Sequence, residues 1–214
     1  MSDRKLSLLD NLIDNADQVL RTLAGGANRA SRPSPAADEP ESDLEADERR
    51  HAAGLMRVNH TGEVCAQALY QGQALTARLP DVREEMEQAA AEEIDHLVWC
   101  EERLRELDSR TSVLNPVWYG LSFALGAAAG LAGDRWSLGF VAATEERVCE
   151  HLDDHLERLP EQDGRSRLIV EQMREDERRH GEAALDAGGE DFPEPVKRAM
   201  ARVAGLMTST SYRI

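Results

Sequence analysis

Carboxylates and imidazoles recur in this chain at a spacing that suits a pair of metal ions. Glu63 is followed 30 positions later by Glu93, within Glu93-Ile94-Asp95-His96. Glu145 is followed 32 positions later by Glu177, within Glu177-Arg178-Arg179-His180. Helical bundles hold two iron or manganese ions with one Glu from each of two helices and a Glu-x-x-His from each of two others. Oxygen-rich sets favour iron or manganese over zinc, which prefers sulfur or several histidines. Glu93 and Glu177 are the expected bridges, Glu63 and Glu145 the terminal ligands, and His96 and His180 bind one ion each. Two reduced irons can pass electrons to dioxygen, chemistry that no side chain provides.

One Glu-x-x-His proves little in a chain with 41 acidic residues. Glu48-Arg49-Arg50-His51 has the same form, yet Glu48 lies 15 residues before Glu63, about 22 Å along a helix. The duplicated pattern is more specific, and its neighbours support it. Ala66, Ala89, Ala142 and Met173 stand three or four positions from ligand glutamates. The ligands thus fall on apolar, inward faces, where an unpaired carboxylate is costly. Asp176, directly before Glu177, is placed to orient a histidine of the facing helix. Tyr70, seven residues after Glu63, reads as a core residue, with a proton-relay or radical role open. His60 and His151 fall off the ligand face, in solvent-facing or supporting positions.

The elements that must carry these residues read as helices. Hydrophobic content is 41% and aromatic content only 4%, a mix that favours helix over sheet. Residues 1–24 read as an N-terminal amphipathic helix (spanning 3–23), 25–46 as a flexible linker rich in Gly, Ser and Pro, and 47–214 as the main domain. Within that domain helices are predicted over 47–78, 81–108, 137–159, 163–187 and 193–208. The midpoint of Glu63 and Glu93 falls at 78, beside Leu79-Pro80, and that of Glu145 and Glu177 at 161, beside Pro160. Two hairpins turning there set their ligands at matching heights. The expected fold is all-α, a ferritin-like four-helix bundle with a long apolar crossover and an extra C-terminal helix.

The crossover, 109–136, carries no charge from Thr111 to Gly133. Its length approaches the roughly 20 residues of a membrane span, but Pro116 and several glycines weaken it, and a span would separate the two hairpins. Peripheral membrane contact through 111–133 is the better reading. The stretch 196–214 agrees: it lacks Asp and Glu but has Lys197, Arg198, Arg202 and Arg213, with Val196, Met200, Val203 and Met207 as an apolar stripe. The net charge of −16 argues against nucleic acid as partner. Cys65, Cys100 and Cys149 form no CxxC and read as reduced, small buried residues.

Several stretches together resemble one family. They are Asn59-His60-Thr61-Gly62-Glu63, Glu93-Ile94-Asp95-His96, Leu114-Asn115-Pro116-Val117-Trp118, Phe123-Ala124-Leu125-Gly126-Ala127 and Thr144-Glu145-Glu146. Over about residues 48–214 they look like the demethoxyubiquinone hydroxylase family of ubiquinone biosynthesis. The resemblance implies a monooxygenase with two iron ions per chain, dioxygen as cosubstrate and an external reductant. It implies a membrane-embedded, polyprenylated demethoxyquinol as substrate and a peripheral position on the cytoplasmic face of the cell membrane, with a ubiquinone-biosynthesis complex as a possible setting. Two departures stand out: the extension 1–46, which many members lack, and Leu152 after His151, where some relatives have an aromatic residue. The alternatives are an iron-storage ferroxidase and a di-iron hydroxylase of modified tRNA. The uncharged run speaks against the first, and the run and the acidity against the second. No glycine-rich nucleotide motif identifies the electron donor.

Overall fold

A computed structural model describes the backbone of residues 8–214 and the side chains from residue 16 on, except at 80, 81 and 83–85. The described residues form seven helices and no strand: α1 Leu8–Ala24, α2 Ala46–Thr76, α3 Pro80–Glu106, α4 Asn115–Ala132, α5 Asp134–Arg158, α6 Gly164–Asp186 and α7 Glu194–Ser211. Residues 3–7 of the predicted first helix lie outside the described residues, as do the side chains of Leu9 and Ile13.

Local chemistry sets the boundaries. Glu45 and Glu48 form a reciprocal capping box at the start of α2. Pro80 opens α3 at a position where its missing N–H costs nothing. Asp163 caps α6 by accepting from the Ser166 amide at 3.0 Å. Gly133, with φ 128°, allows α4 to pass directly into α5. Asp134 then accepts from the amides of Arg78 and Leu79, both at 3.0 Å, and pins the α2–α3 turn to the start of α5.

α2 packs on α3, and α5 on α6, as two hairpins that meet through α3 and α6. Three apolar clusters fill the molecule, a small one of Val64, Ala68, Leu97 and Tyr119 and two larger ones. One gathers Leu55, Met56, Trp99, Leu104, Leu152, Ile169 and Met173; the other gathers Tyr70, Val82, Met86, Leu138, Val141 and Ala184. The glutamates and Glu-x-x-His pairs sit between them along the helices. α4 is the crossover, a helix laid along α2. A Cβ on Gly126 would collide with the Leu69 carbonyl, and one on Gly72 with the Phe123 carbonyl, so these glycines permit the close approach. The opposite face of α4 carries exposed Val117, Leu121 and Leu125. No helix among the described residues is long and apolar enough to cross a membrane.

Two expectations need correction. Residues 25–46 do not behave as a flexible linker but pack on the bundle, with Ala36 and Leu44 buried. Buried Arg103 binds Glu41 at 2.6 Å and Asp163 at 2.9 Å, joining this segment to α3 and α6. The composition signalled backbone freedom, but ion pairs and burial override it. The α7 stripe is also turned: Val196, Met200 and Met207 are half-buried, leaving Val203 and Leu206 as its exposed large apolar residues. The chain end is fastened by Tyr212. Its hydroxyl lies 2.7 Å from His51 Nδ1, its carbonyl accepts from Arg57 at 2.9 Å, and its ring leaves no room for a Cβ on Gly54. His51, from the isolated Glu48-x-x-His51 motif, thus serves the fold.

Candidate metal centre

α2 contributes Glu63 and Tyr70, α3 contributes Glu93 and His96, α5 contributes Glu145, and α6 contributes Asp176, Glu177 and His180. Ligand atoms of Glu63, Glu93, His96 and Glu177 lie within 4.8 Å of one another, all buried. His96 Nδ1 is 2.9 Å from Glu93, 3.1 Å from Glu177 and 3.6 Å from Glu63. His180 Nδ1 is 3.1 Å from Glu93 and 3.3 Å from Glu177. Glu93 and Glu177 therefore face both imidazoles, the arrangement expected of bridges. Glu145 is buried on the same centre and accepts from the Tyr70 hydroxyl.

The remaining imidazole nitrogens point outward to acids. His96 Nε2 is 3.0 Å from Asp176 Oδ2, as the sequence led us to expect for Asp176. His180 Nε2 is 2.8 Å from Glu92 Oε2, a partner the sequence reading missed. The signal was there: Glu92 precedes Glu93 as Asp176 precedes Glu177. Each hairpin's acid backs the other hairpin's histidine and fixes which nitrogen faces the centre.

His151 is not brought to the centre. Its ring packs 3.9 Å from that of His155, and burial lowers its pKa to about 4. His60 is buried rather than exposed, and its Nδ1 lies 3.4 Å from the Asn115 amide. Cys100 is buried, whereas Cys65 and Cys149 are half-buried; all three are free thiols.

Electrostatics show what the centre lacks. Burial pushes Glu63 and Glu145 well above the usual carboxylate range, and the charges of Glu93 and Glu177 add to it. Burial acts the same way on Glu93, but the imidazoles, His96 first, outweigh it and hold Glu93 below that range. Burial would lower both imidazoles, yet the facing carboxylates raise His96 and push His180 up to about 12. Without a metal, four buried carboxylates and two imidazoles balance their charge only by keeping protons on Glu63 and Glu145 and on both imidazoles. Glu63 Oε2 and Glu93 Oε1 are buried without a hydrogen-bond partner among the described residues. An imidazole nitrogen stands 3.6 Å from the first and 3.1 Å from the second. Such orphan oxygens are costly unless something positive binds them. Two divalent ions with neutral imidazoles would balance the four carboxylates, so the donor set fits a metal pair.

Fold and site together define a class, the ferritin-like helical bundles with a buried carboxylate–histidine centre. A family model described as ubiquinone biosynthesis protein COQ7 matches residues 50–211. A 3-demethoxyubiquinol 3-hydroxylase of Azotobacter vinelandii is 63% identical over 213 residues, covering 100% of this chain and 99% of the relative. Proteins of that name from Stutzerimonas stutzeri and Pseudomonas aeruginosa are 63% and 61% identical over the same shares. The chain belongs to the COQ7 family of ubiquinone biosynthesis proteins.

Proposed function

We propose that this chain is a di-iron monooxygenase that hydroxylates the ring of a polyprenylated demethoxyubiquinol late in ubiquinone biosynthesis. The observation that carries the metal reading is the buried cluster of Glu63, Glu93, His96 and Glu177 with its orphan carboxylate oxygens. The substrate reading rests on full-length relatives named for that hydroxylation. In the balanced reaction, a ring C–H and dioxygen, with two electrons and two protons from an external reductant, give C–OH and water. When bound, the metal pair supplies the chemistry toward dioxygen that side chains lack.

The chain's own residues bind and orient. Glu63, Glu93, His96, Glu145, Glu177 and His180 would hold the ions, each imidazole offering the Nδ1 that faces the carboxylates. Asp176 and Glu92 hold protons on Nε2, and the Tyr70 hydroxyl donates to Glu145. A narrow opening between α2 and α5, lined by Ala66, Leu69, Phe140 and Val141, leads to Tyr70 and Glu145.

A substrate with an isoprenoid tail resides in a membrane, so peripheral association at the cytoplasmic face of the cell membrane belongs to this reading. The exposed apolar face of α4 and the basic outer face of α7 support it. Passing the product on within a ubiquinone-biosynthesis complex would be consistent with it.

Quinone profiling of a strain lacking the gene tests the substrate: demethoxyubiquinone accumulates, and unchanged ubiquinone would remove this reading. Metal analysis tests the centre. The purified chain is expected to hold about two irons, and Glu93→Ala or Glu177→Ala to lose both iron and turnover. Full activity in either variant would refute the ligand assignment.

A further inference from the structure

Arg32 precedes the stretch matched by the family model, yet it reaches the back of the metal centre. Its Nε donates to Asp95 Oδ2 at 2.7 Å, and its Nη1 lies 2.9 Å from Asp176 Oδ2. These two acids stand on α3 and α6, the helices that carry the Glu-x-x-His pairs. Asp176 Oδ2 is also the oxygen that meets His96 Nε2. Asp95 is held in turn by the Ser31 amide at 2.6 Å and the Ser31 hydroxyl at 3.0 Å. The guanidinium sits over the Trp99 ring at 4.9 Å, and that ring packs against His96 with centroids 5.4 Å apart. Two routes of contact therefore run from Arg32 to His96, one through a carboxylate and one through an aromatic ring.

The second imidazole has no such brace. His180 Nε2 meets Glu92, and the other hydrogen bond to the Glu92 side chain comes from Gln88 on the same helix. Among the described residues no arginine ion pair joins Glu92 to another element. The two halves of the centre are alike in ligands and unlike in support.

We infer that Arg32 is a positioning residue: Gln172 and Arg179 of α6 donate to Asp176 Oδ1, and the Arg32 fork between Asp95 and Asp176 sets the Oδ2 that orients the imidazole of His96 for the ion on that side. The inference rests on the di-metal reading above. Arginine suits the task because a planar guanidinium can serve two carboxylates at once, whereas lysine offers a single ammonium point. It also gives the packed segment 25–46 a part in the chemistry.

The test is an anaerobic titration of the purified full-length chain with Co(II), followed by visible absorption. Wild type is expected to take up two ions. In Arg32→Ala one ion should bind as in wild type, while the other weakens about tenfold or more. Arg32→Lys should recover little of this, and Arg32→Ala should add nothing in an Asp176→Ala background. Circular dichroism identifies folded variants; if Arg32→Ala does not fold, Arg32→Gln serves the same comparison. Wild-type affinity for both ions in a folded variant, equal weakening of both, full recovery by lysine, or an additive loss with Asp176→Ala would each overturn the inference. Uptake of fewer than two ions by wild type would instead strike the di-metal reading itself.

Discussion

Each imidazole at the centre turns Nδ1 to the carboxylates and Nε2 to an acid from the opposite hairpin. The settings differ in exposure: the His96 and Asp176 side chains are 0% and 2% exposed, those of His180 and Glu92 10% and 35%. Solvent screens the second pair, so Asp176→Asn should reduce metal affinity about 10- to 100-fold and Glu92→Gln clearly less. Metal content after dialysis checks this, and equal losses would contradict the burial argument. His60 supplies a pH prediction. Burial lowers its pKa from 6.5 to about 4. Between those values the unfolded chain binds a proton that the folded chain refuses, so stability falls as pH drops from 6.5 toward 4 and is unaffected above that range. The loss amounts to about 3 kcal/mol by pH 4. Denaturation of His60→Gln across this range should show a flatter curve. The six candidate ligands stood out because residue type, spacing and turn positions agreed. Glu92 was legible only by extending the repeat one residue outward. Arg32 was not, since its partners lie far along the chain and no periodicity marks it.

At the scale of elements, the hairpin turns announced themselves through Pro80 and Pro160, and the crossover through its lack of charge. That the crossover would become a helix packed on α2 was written in its glycines, whose role depends on which face they occupy. Gly126 meets the Leu69 carbonyl, whereas Gly120 has nothing within reach of an added Cβ. The same substitution should therefore act with opposite sign on one helix. Gly126→Ala should destabilise by about 2 kcal/mol, lowering the melting temperature by roughly 4–8 °C. Gly120→Ala should stabilise by about 0.5–1 kcal/mol through helix propensity. Thermal melts of the two variants settle it, and matching shifts would show that α4 does not lie as described. Segment 25–46 was illegible for a related reason. Gly, Ser and Pro report local backbone preference, while its order comes from Asp95, Glu101, Arg103 and Asp176, which lie elsewhere in the sequence.

The whole molecule is strongly acidic, with a net charge of −16, yet it exposes an uncharged stripe on α4 and apolar Val203 and Leu206 beside Arg202 on α7. Leu121 and Leu125 are 54% and 48% exposed, so changing both to Ser should spare stability. It should nonetheless weaken binding to vesicles of mixed anionic and zwitterionic phospholipid by at least tenfold, since each buried leucine contributes about 1.5–3 kcal/mol. Flotation with vesicles and a melting curve on the same samples test both halves, and unchanged flotation would take α4 off the membrane surface. The Tyr212 fastening bears on how the protein can be handled. An affinity tag fused beyond exposed Ile214 should leave the fold intact, whereas a chain cut back to Ser211 uncovers Gly54 and takes one hydrogen-bond partner each from His51 and Arg57. Such a product should express poorly. Contact of α7 with lipid is therefore better tested by single changes at Val203 or Leu206 than by removing the helix.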